Sequence, residues 1–283
     1  MTVQQLPTQR IGEFEISAIS DGYLSAPLSV LSNIEPDDAA ALQHDAGIQA
    51  ASAIHINGYL VRGRGRTILI DTGAGGFKQW GGQLRANLAL AGVQAADVDT
   101  ILLTHAHPDH IGGLVDAAGA AAFPAAELVV QQQEWAFWHD DAHFARAHER
   151  AQGNFLFARQ VFAQYHERVR RVQEGEVLAG ISAQLLPGHT AGHCGYRIES
   201  GDASMLVWGD VVHFPHIQIA RPEVSIAFDQ DPLLSASTRT RLLDQVSADR
   251  LLIAGMHLGE PGFAQIQRVG NAYAIAYQNG ALI

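Results

Sequence analysis

Three imidazoles and a carboxylate fall within six residues in the run Thr104-His105-Ala106-His107-Pro108-Asp109-His110. The run follows the apolar segment Thr100-Ile101-Leu102-Leu103 directly. A strand carries its last residues to a sheet edge and the chain then turns, so His105 and His107, two apart, can face one point. Asp109 and His110 are adjacent and must point elsewhere, which suggests a second metal nearby. Imidazole and carboxylate suit zinc, iron, cobalt or manganese. A chain with 14 histidines could scatter some into a surface turn. Scatter would not place them at i, i+2 and i+5 against a buried strand end.

Three later segments repeat the pattern of an apolar run followed by a ligand-competent residue. They are Leu185-Leu186-Pro187-Gly188-His189, Met205-Leu206-Val207-Trp208-Gly209-Asp210 and Leu251-Leu252-Ile253-Ala254-Gly255-Met256-His257. Strand ends on one edge of an α/β sheet converge on one cleft, so these residues and the 105–110 cluster are expected to meet.

The elements that must position them alternate. Strands are expected over Phe14 to Ile19, Ile54 to Val61 and Thr67 to Ile70, with a helix over Glu35 to Ala46 opened by Pro36. An amphipathic helix over Phe77 to Ala91 and a buried strand over Asp99 to Leu103 follow. Gln131 to Val172 reads as mostly helical and rich in aromatics. Strands return at Ala183 to Leu186, Gly195 to Glu199 and Met205 to Trp208, then a helix from Leu233 to Val246 and a strand from Leu251 to Ala254. This is an α/β layered pattern in one domain, residues 1–283, with a helical insertion at about 131–172.

Composition narrows the function. Net charge is −11, from 18 Lys+Arg against 29 Asp+Glu, which disfavours a nucleic-acid partner. Arg168, Arg170 and Arg171 form the densest basic run, read as a solvated helix face. A single cysteine, Cys194, rules out an intramolecular disulfide and zinc sites made of several thiolates. No signal-peptide core or membrane-length apolar run stands out, so the expected location is cytoplasmic, with no membrane partner.

The order His-x-His-x-Asp-His, Gly-His-Thr-x-Gly-His, Gly-Asp and a late His resembles the metallo-β-lactamase superfamily, and Asp71-Thr72-Gly73 matches a further motif. The resemblance covers about residues 14–263. It implies a four-layer αβ/βα sandwich with the site at one edge of two packed sheets. It implies that His105, His107 and His189 hold one metal, that Asp109, His110 and His257 hold another, and that Asp210 bridges them. The cofactor is then two divalent ions, zinc first, with manganese, cobalt or iron also suited to these ligands. Asp71 would orient a ligand imidazole or serve as a turn residue, and His193, flanked by Gly192 and Gly195, would be structural or support a ligand from behind.

Within the superfamily, class B1 β-lactamases carry a cysteine at the place of Asp210, and flavodiiron proteins a glutamate at that of His107. Glyoxalase II enzymes append a helical domain, whereas 26 residues follow His257. What remains resembles the lactonases and the methyl-parathion-hydrolase-like group, and the segments Gly209-Asp210-Val211-Val212-His213, Ala227-Phe228-Asp229-Gln230-Asp231-Pro232 and Gly255-Met256-His257 with Pro261-Gly262-Phe263 resemble the second of these. Homoserine-lactone hydrolases place a tyrosine three residues after the bridging aspartate, where this chain has His213. The implied activity is hydrolysis of lactones, aryl esters or organophosphate triesters by a hydroxide on the metals. Asp109 or Asp210 would accept the proton, and His213 would be a hydrogen-bond donor or a packed loop residue. The alternative is a mononuclear iron oxidoreductase of the persulfide dioxygenase type. Trp135, Trp138, Phe155 and Phe157 are candidates to line a pocket for an apolar group on a small-molecule substrate. Leu24 to Leu31 resembles a segment that builds a pocket mouth or dimer contact, which leaves a homodimer open. His139 and His143, at i and i+4, read as a solvated face.

Overall fold

The computed structural model describes residues 6–278, and in it two seven-stranded sheets stack face to face. The first runs Thr8–Ile11, Phe14–Ser25, Ala53–Gly63, Arg66–Ile70, Thr100–Leu102, Glu127–Gln131 and Val169–Val172, in that spatial order. Its first half is antiparallel and its second half, from Arg66–Ile70 onward, is parallel. The second runs Ala272–Tyr277, Phe263–Val269, Leu252–Ala254, Ala203–Val207, Cys194–Ser200, Ile181–Leu185 and Gly175–Leu178.

Between the sheets lie Phe14, Ile16, Tyr59, Val61, Ile68, Ile70 and Val129 of one, meeting Tyr196, Ile198, Met205, Val207 and Ala254 of the other. The outer face of the first sheet packs Leu69, Ile101, Leu103 and Leu128 under the helices Leu84–Leu90 and Glu149–Ala163. The outer face of the second packs Leu206 and Ile253 under Leu242, Leu243 and Val246 of the helix Pro232–Ala248. Strands covered on both faces must be apolar throughout, which is why the runs before the 105–110 cluster, Asp210 and His257 read as hydrophobic segments, whereas Ile181–Leu185, ahead of His189, is half-buried and mixed. The result is the helix–sheet–sheet–helix order the sequence predicts.

Topology brings the candidate ligands to one edge. Arg66–Ile70 and Thr100–Leu102 are parallel, so residues 71–73 and 103–110 leave the first sheet at the same end. In the second sheet Ala203–Val207 is parallel to Leu252–Ala254. It is two reversals removed from Ile181–Leu185, so all three strands also finish at one end.

The structure differs from the sequence reading in several elements. Phe77 to Ala91 is not one helix. A 3-10 turn at Phe77–Gln79 is followed by a loop, and the helix runs over Leu84–Leu90. Gly76, Lys78, Gln79, Gly81 and Gly82 all have positive φ, which a right-handed helix excludes. At Gly81 a Cβ would stand 2.0 Å from Asp21 Oδ2, so a side chain has no room there. The helical stretch ends before Val172, because Val169–Val172 joins the first sheet beside Glu127–Gln131. Arg170 and Arg171 therefore lie on a strand, and Arg170 Nε is 3.0 Å from Glu127 Oε1. The hairpin Phe263–Val269 and Ala272–Tyr277, absent from the reading above, completes the second sheet. Among the described residues no helix is long and apolar enough to cross a membrane.

Candidate metal centre

The loop after Leu102 begins with a buried carboxylate brace. Asp71, at φ 55, accepts Thr104 N at 2.8 Å through Oδ1, and its Oδ2 accepts the Thr104 hydroxyl at 2.6 Å. The same Oδ2 is 2.6 Å from His110 Nδ1, so Asp71 fixes both ends of the histidine-rich turn. Pro108 opens the short helix Pro108–Ile111, where a missing N–H costs nothing, and this single turn swings Asp109 and His110 away from His105 and His107.

Two groups of ligand atoms result. His107 Nδ1 lies 3.0 Å from His105 Nε2 and 2.9 Å from His189 Nε2. Three imidazole nitrogens converging so closely can satisfy one another only in part by hydrogen bonding, since each pair needs one N–H and one lone pair. Tetrahedral zinc with bonds of 2.0–2.1 Å separates its ligand nitrogens by roughly 3.3 Å, close to this spacing. In the second group, His110 Nε2 and His257 Nε2 stand 3.1 and 3.2 Å from Asp210 Oδ2. They are also 3.6 and 3.5 Å from Asp109 Oδ2. Asp210 Oδ2 reaches the first group as well, at 3.5 Å from His189 Nε2 and 3.7 Å from His105 Nε2. Its other oxygen, Oδ1, is buried with no hydrogen-bond partner. A buried carboxylate oxygen without a donor is costly unless a cation serves it. The donor set and the orphaned oxygen fit divalent ions in both groups.

The surroundings set orientation and charge. Asp229 Oδ1 is 2.8 Å from His189 Nδ1, and the His55 carbonyl is 2.7 Å from His257 Nδ1, so each imidazole turns its Nε2 inward. Burial, reinforced by His110 nearby, pushes His105 well below the ordinary histidine range, which leaves its lone pair free to ligate. Burial opposes charge on His110 too, but Asp210, Asp109 and Asp71 outweigh it and hold that imidazole well above its usual range. Asp210 is itself buried, yet His110, His257 and His213 keep it far down in the ionised form.

His193 is a brace. Its Nδ1 pairs with the Leu186 carbonyl at 2.8 Å and its Nε2 accepts the Asp210 N–H at 2.9 Å. The glycine before Asp210 is obligatory, because Gly209 has φ 63 and its Cβ would fall 2.5 Å from His193 Nε2. His213 Nε2 lies 3.2 Å from Asp210 Oδ2, within reach of the same carboxylate.

Glu134 went unnoticed in the sequence. It is buried on the helix Gln132–His139 and takes four hydrogen bonds. They come from Ala106 N at 2.9 Å, Trp138 Nε1 at 2.6 Å, Thr190 Oγ1 at 2.6 Å and Gly192 N at 3.0 Å. It thus ties the turn carrying His105 and His107 to the loop carrying His189. Glu134 and Asp229 each stand three positions after a strand, Glu127–Gln131 and Ser225–Ile226, but within Gln-rich and Asp-rich runs where an acid is ordinary, so neither stands out in the sequence.

A cavity of about 1120 Å³ opens over the centre, with His107, Asp109, His189, Asp210, His213 and His257 in its lining. Of the four aromatics expected there, Trp138 and Phe155 line it, joined by Phe137. Trp135 instead stacks on His139 at 4.1 Å, and Phe157 packs on Phe77 at 4.4 Å. Ser25, Ala26, Pro27 and Val30 form part of the wall. His139 and His143 lie on separate helices, and Asp140 caps the second of them.

A family model described as the metallo-beta-lactamase superfamily matches residues 52–257, which includes all seven candidate ligands. The chain belongs to the metallo-beta-lactamase superfamily. No curated protein matches it. Among solved structures it is similar to the hydrolase AbOPH, in the beta lactamase superfamily, at 29% identity and a TM-score of 0.91, covering 98% of this chain and 99% of that one. It is also similar to AidC, a dizinc quorum-quenching lactonase solved with a product, N-hexnoyl-L-homoserine. There identity is 25% and the TM-score 0.89, with 97% of each chain covered. A quorum-quenching N-acyl homoserine lactone lactonase shares the fold at 21% identity and a TM-score of 0.62, over 94% of this chain and 100% of that one.

Proposed function

We propose that this chain is a dinuclear metal-dependent hydrolase of ester-like bonds, with lactones and aryl esters as the main class and organophosphate triesters as a secondary one. In this reading His105, His107 and His189 hold one ion, Asp109, His110 and His257 the other, and Asp210 both. The observation that carries it is the placement of Asp210 Oδ2 within 3.7 Å of ligand nitrogens from both groups while Oδ1 has no partner. A mononuclear site would need only the first triad and would leave Asp109, His110 and His257 facing Asp210 without purpose. The likeness to AbOPH and AidC adds support for hydrolysis and for a lactone among the substrates.

Bound there, divalent ions supply Lewis acidity toward the oxygen that gains charge and an activated water at neutral pH. The chain's residues supply the rest. Asp71, Asp229 and the His55 carbonyl fix the imidazole orientations, so the ligands need little reorganisation. Asp109, partly open to the cavity, accepts the proton released as the water oxygen bonds to the acyl carbon, with Asp210 as the alternative acceptor. The carbon–oxygen ester bond then breaks, and the departing oxygen takes up a proton. His213 directs Nε2 toward the site and donates a hydrogen bond to the oxygen gaining charge. Trp138, Phe137, Phe155 and Phe228 offer an apolar wall for the acyl or aryl body and exclude water from it.

The test is an initial-rate screen of the metal-loaded protein on γ-lactones, p-nitrophenyl esters and aryl phosphotriesters, with Asp210→Ala beside it. The expected result is chelator-sensitive hydrolysis in the parent protein and loss of both activity and metal in a folded variant. One iron per chain, oxygen uptake with a persulfide and no hydrolysis would overturn the reading in favour of the dioxygenase alternative.

A further inference from the structure

The cavity wall holds three cations with no partner. Arg146 ends the helix Asp141–Arg146, Arg150 stands in the first turn of Glu149–Ala163, and Lys78 lies in the 3-10 turn Phe77–Gln79. All three are exposed and line the cavity. Among the described residues none of them forms an ion pair or a side-chain hydrogen bond, although the chain has 29 acidic residues for 18 basic ones. Elsewhere Arg62, Arg64, Arg66, Arg159, Arg170 and Arg197 each hold a carboxylate; Arg85, Arg171 and Arg250 are also unpaired among the described residues, but they do not line the cavity.

The acids that share this cavity are committed to other tasks. Asp109 and Asp210 face the histidines, Asp229 holds His189 at 2.8 Å, and Asp231 caps the helix Pro232–Ala248 through Leu234 N at 3.0 Å. Two of the three cations sit against aromatic faces. The Arg150 guanidinium is 4.3 Å from the Phe228 ring centre, and Lys78 Nζ is 5.8 Å from that of Trp80. The cavity therefore combines an apolar shelf with uncommitted positive charge, on a protein whose net charge is −11. A neutral substrate would draw nothing from these groups, and a cationic one would be repelled.

We infer that the cavity selects ester-like substrates that carry a carboxylate remote from the bond being cleaved, with Arg146, Arg150 and Lys78 as the specificity-determining residues. This rests on the hydrolase reading for the reaction but not for the binding. The apolar stem lies along the aromatic wall, the reacting carbonyl reaches the ligand groups, and the carboxylate stays at the cations.

A matched pair tests it: 4-nitrophenyl hydrogen glutarate against 4-nitrophenyl pentanoate, which differ only in the terminal carboxylate. The corresponding 4-nitroanilides, followed by calorimetry on the metal-loaded protein, report binding without turnover. The parent protein is expected to favour the carboxylated member in both measurements, with the preference shrinking as salt is added. In Arg146→Ala/Arg150→Ala that preference falls about three- to tenfold, mostly through KM, the scale of exposed ion pairs. In Arg146→Glu/Arg150→Glu it falls further. No preference in the parent, or a preference surviving in both variants because the carboxylate binds at the histidine groups, would overturn the proposal. A binding preference lost in the variants without hydrolysis of either ester would refute the hydrolase reading and leave this one standing.

Discussion

Removing the Glu134 side chain should cost more stability than removing any single metal ligand, although Glu134 has no place among the ligands. Burial pushes this carboxyl above its ordinary range, and the four donors offset only part of that rise. In Glu134→Ala, the Ala106 and Gly192 amides and the Trp138 indole are left buried without an acceptor, and only the Thr190 hydroxyl can turn elsewhere. Each orphaned donor costs about 1–3 kcal/mol. Three of them, less the relief of no longer burying a charge, amount to roughly 3–5 kcal/mol. That is a large share of a total of about 5–15 kcal/mol. Glu134→Gln keeps the volume and one acceptor oxygen but turns an amide N–H₂ toward the Gly192 N–H, so about 1–2 kcal/mol is expected. Urea unfolding followed by circular dichroism reads both, as shifts of midpoint at constant slope. Metal content should fall in parallel, because Ala106 lies between His105 and His107, and Thr190 follows His189. An alanine variant within about 1 kcal/mol of the parent, or one less damaging than the glutamine variant, would refute the bracing role.

Two further outcomes follow from the same geometry. Asp71→Asn weakens the hold on His110 and should lower metal affinity at the Asp109–His110–His257 group by about 10–100-fold; metal titration against a chromophoric chelator measures it, and an unchanged affinity contradicts the orienting role. Cys194 is fully buried beside the Leu103 carbonyl, and burial raises its thiol pKa far above the ordinary range. The native protein should therefore resist Ellman's reagent at pH 8 and release one equivalent on unfolding, whereas prompt native reaction would show the strand Cys194–Ser200 to be open.

The cluster of candidate ligands is legible because most of them follow an apolar run, and a strand buried on both faces leaves a clear trace in a sequence. The turn residues at 71–73 and 209–210 were legible for a similar reason, since glycines there mark sharp exits from the sheet. The braces were not. Glu134 stands in a helix among Gln132, Gln133 and Trp135, where an acid is ordinary, and three of its four partners are 28 and 56–58 positions away. Asp229 meets His189 across 40 positions, and the His55 carbonyl meets His257 across 202. Contacts of that range depend on how the two sheets stack, which no local spacing encodes. The same limit explains the aromatics. Trp135, Phe137 and Trp138 lie within one helical turn, and only the packing of Glu149–Ala163 against it decides which of them face the cavity. The helix expected over Phe77 to Ala91 failed for a local reason, because the Gly81-Gly82 pair was read as part of an amphipathic face when it is a breaker.

The proposed function stands on seven residues forming two adjacent metal sites that share Asp210. Anomalous diffraction from crystals of the zinc-loaded protein, collected on both sides of the zinc edge, tests it directly. Two anomalous peaks are expected, one among His105, His107 and His189 and one among Asp109, His110 and His257, with Asp210 touching both. A single peak on the first triad, with His110 and His257 still turned to Asp210 and bare of metal, would contradict it.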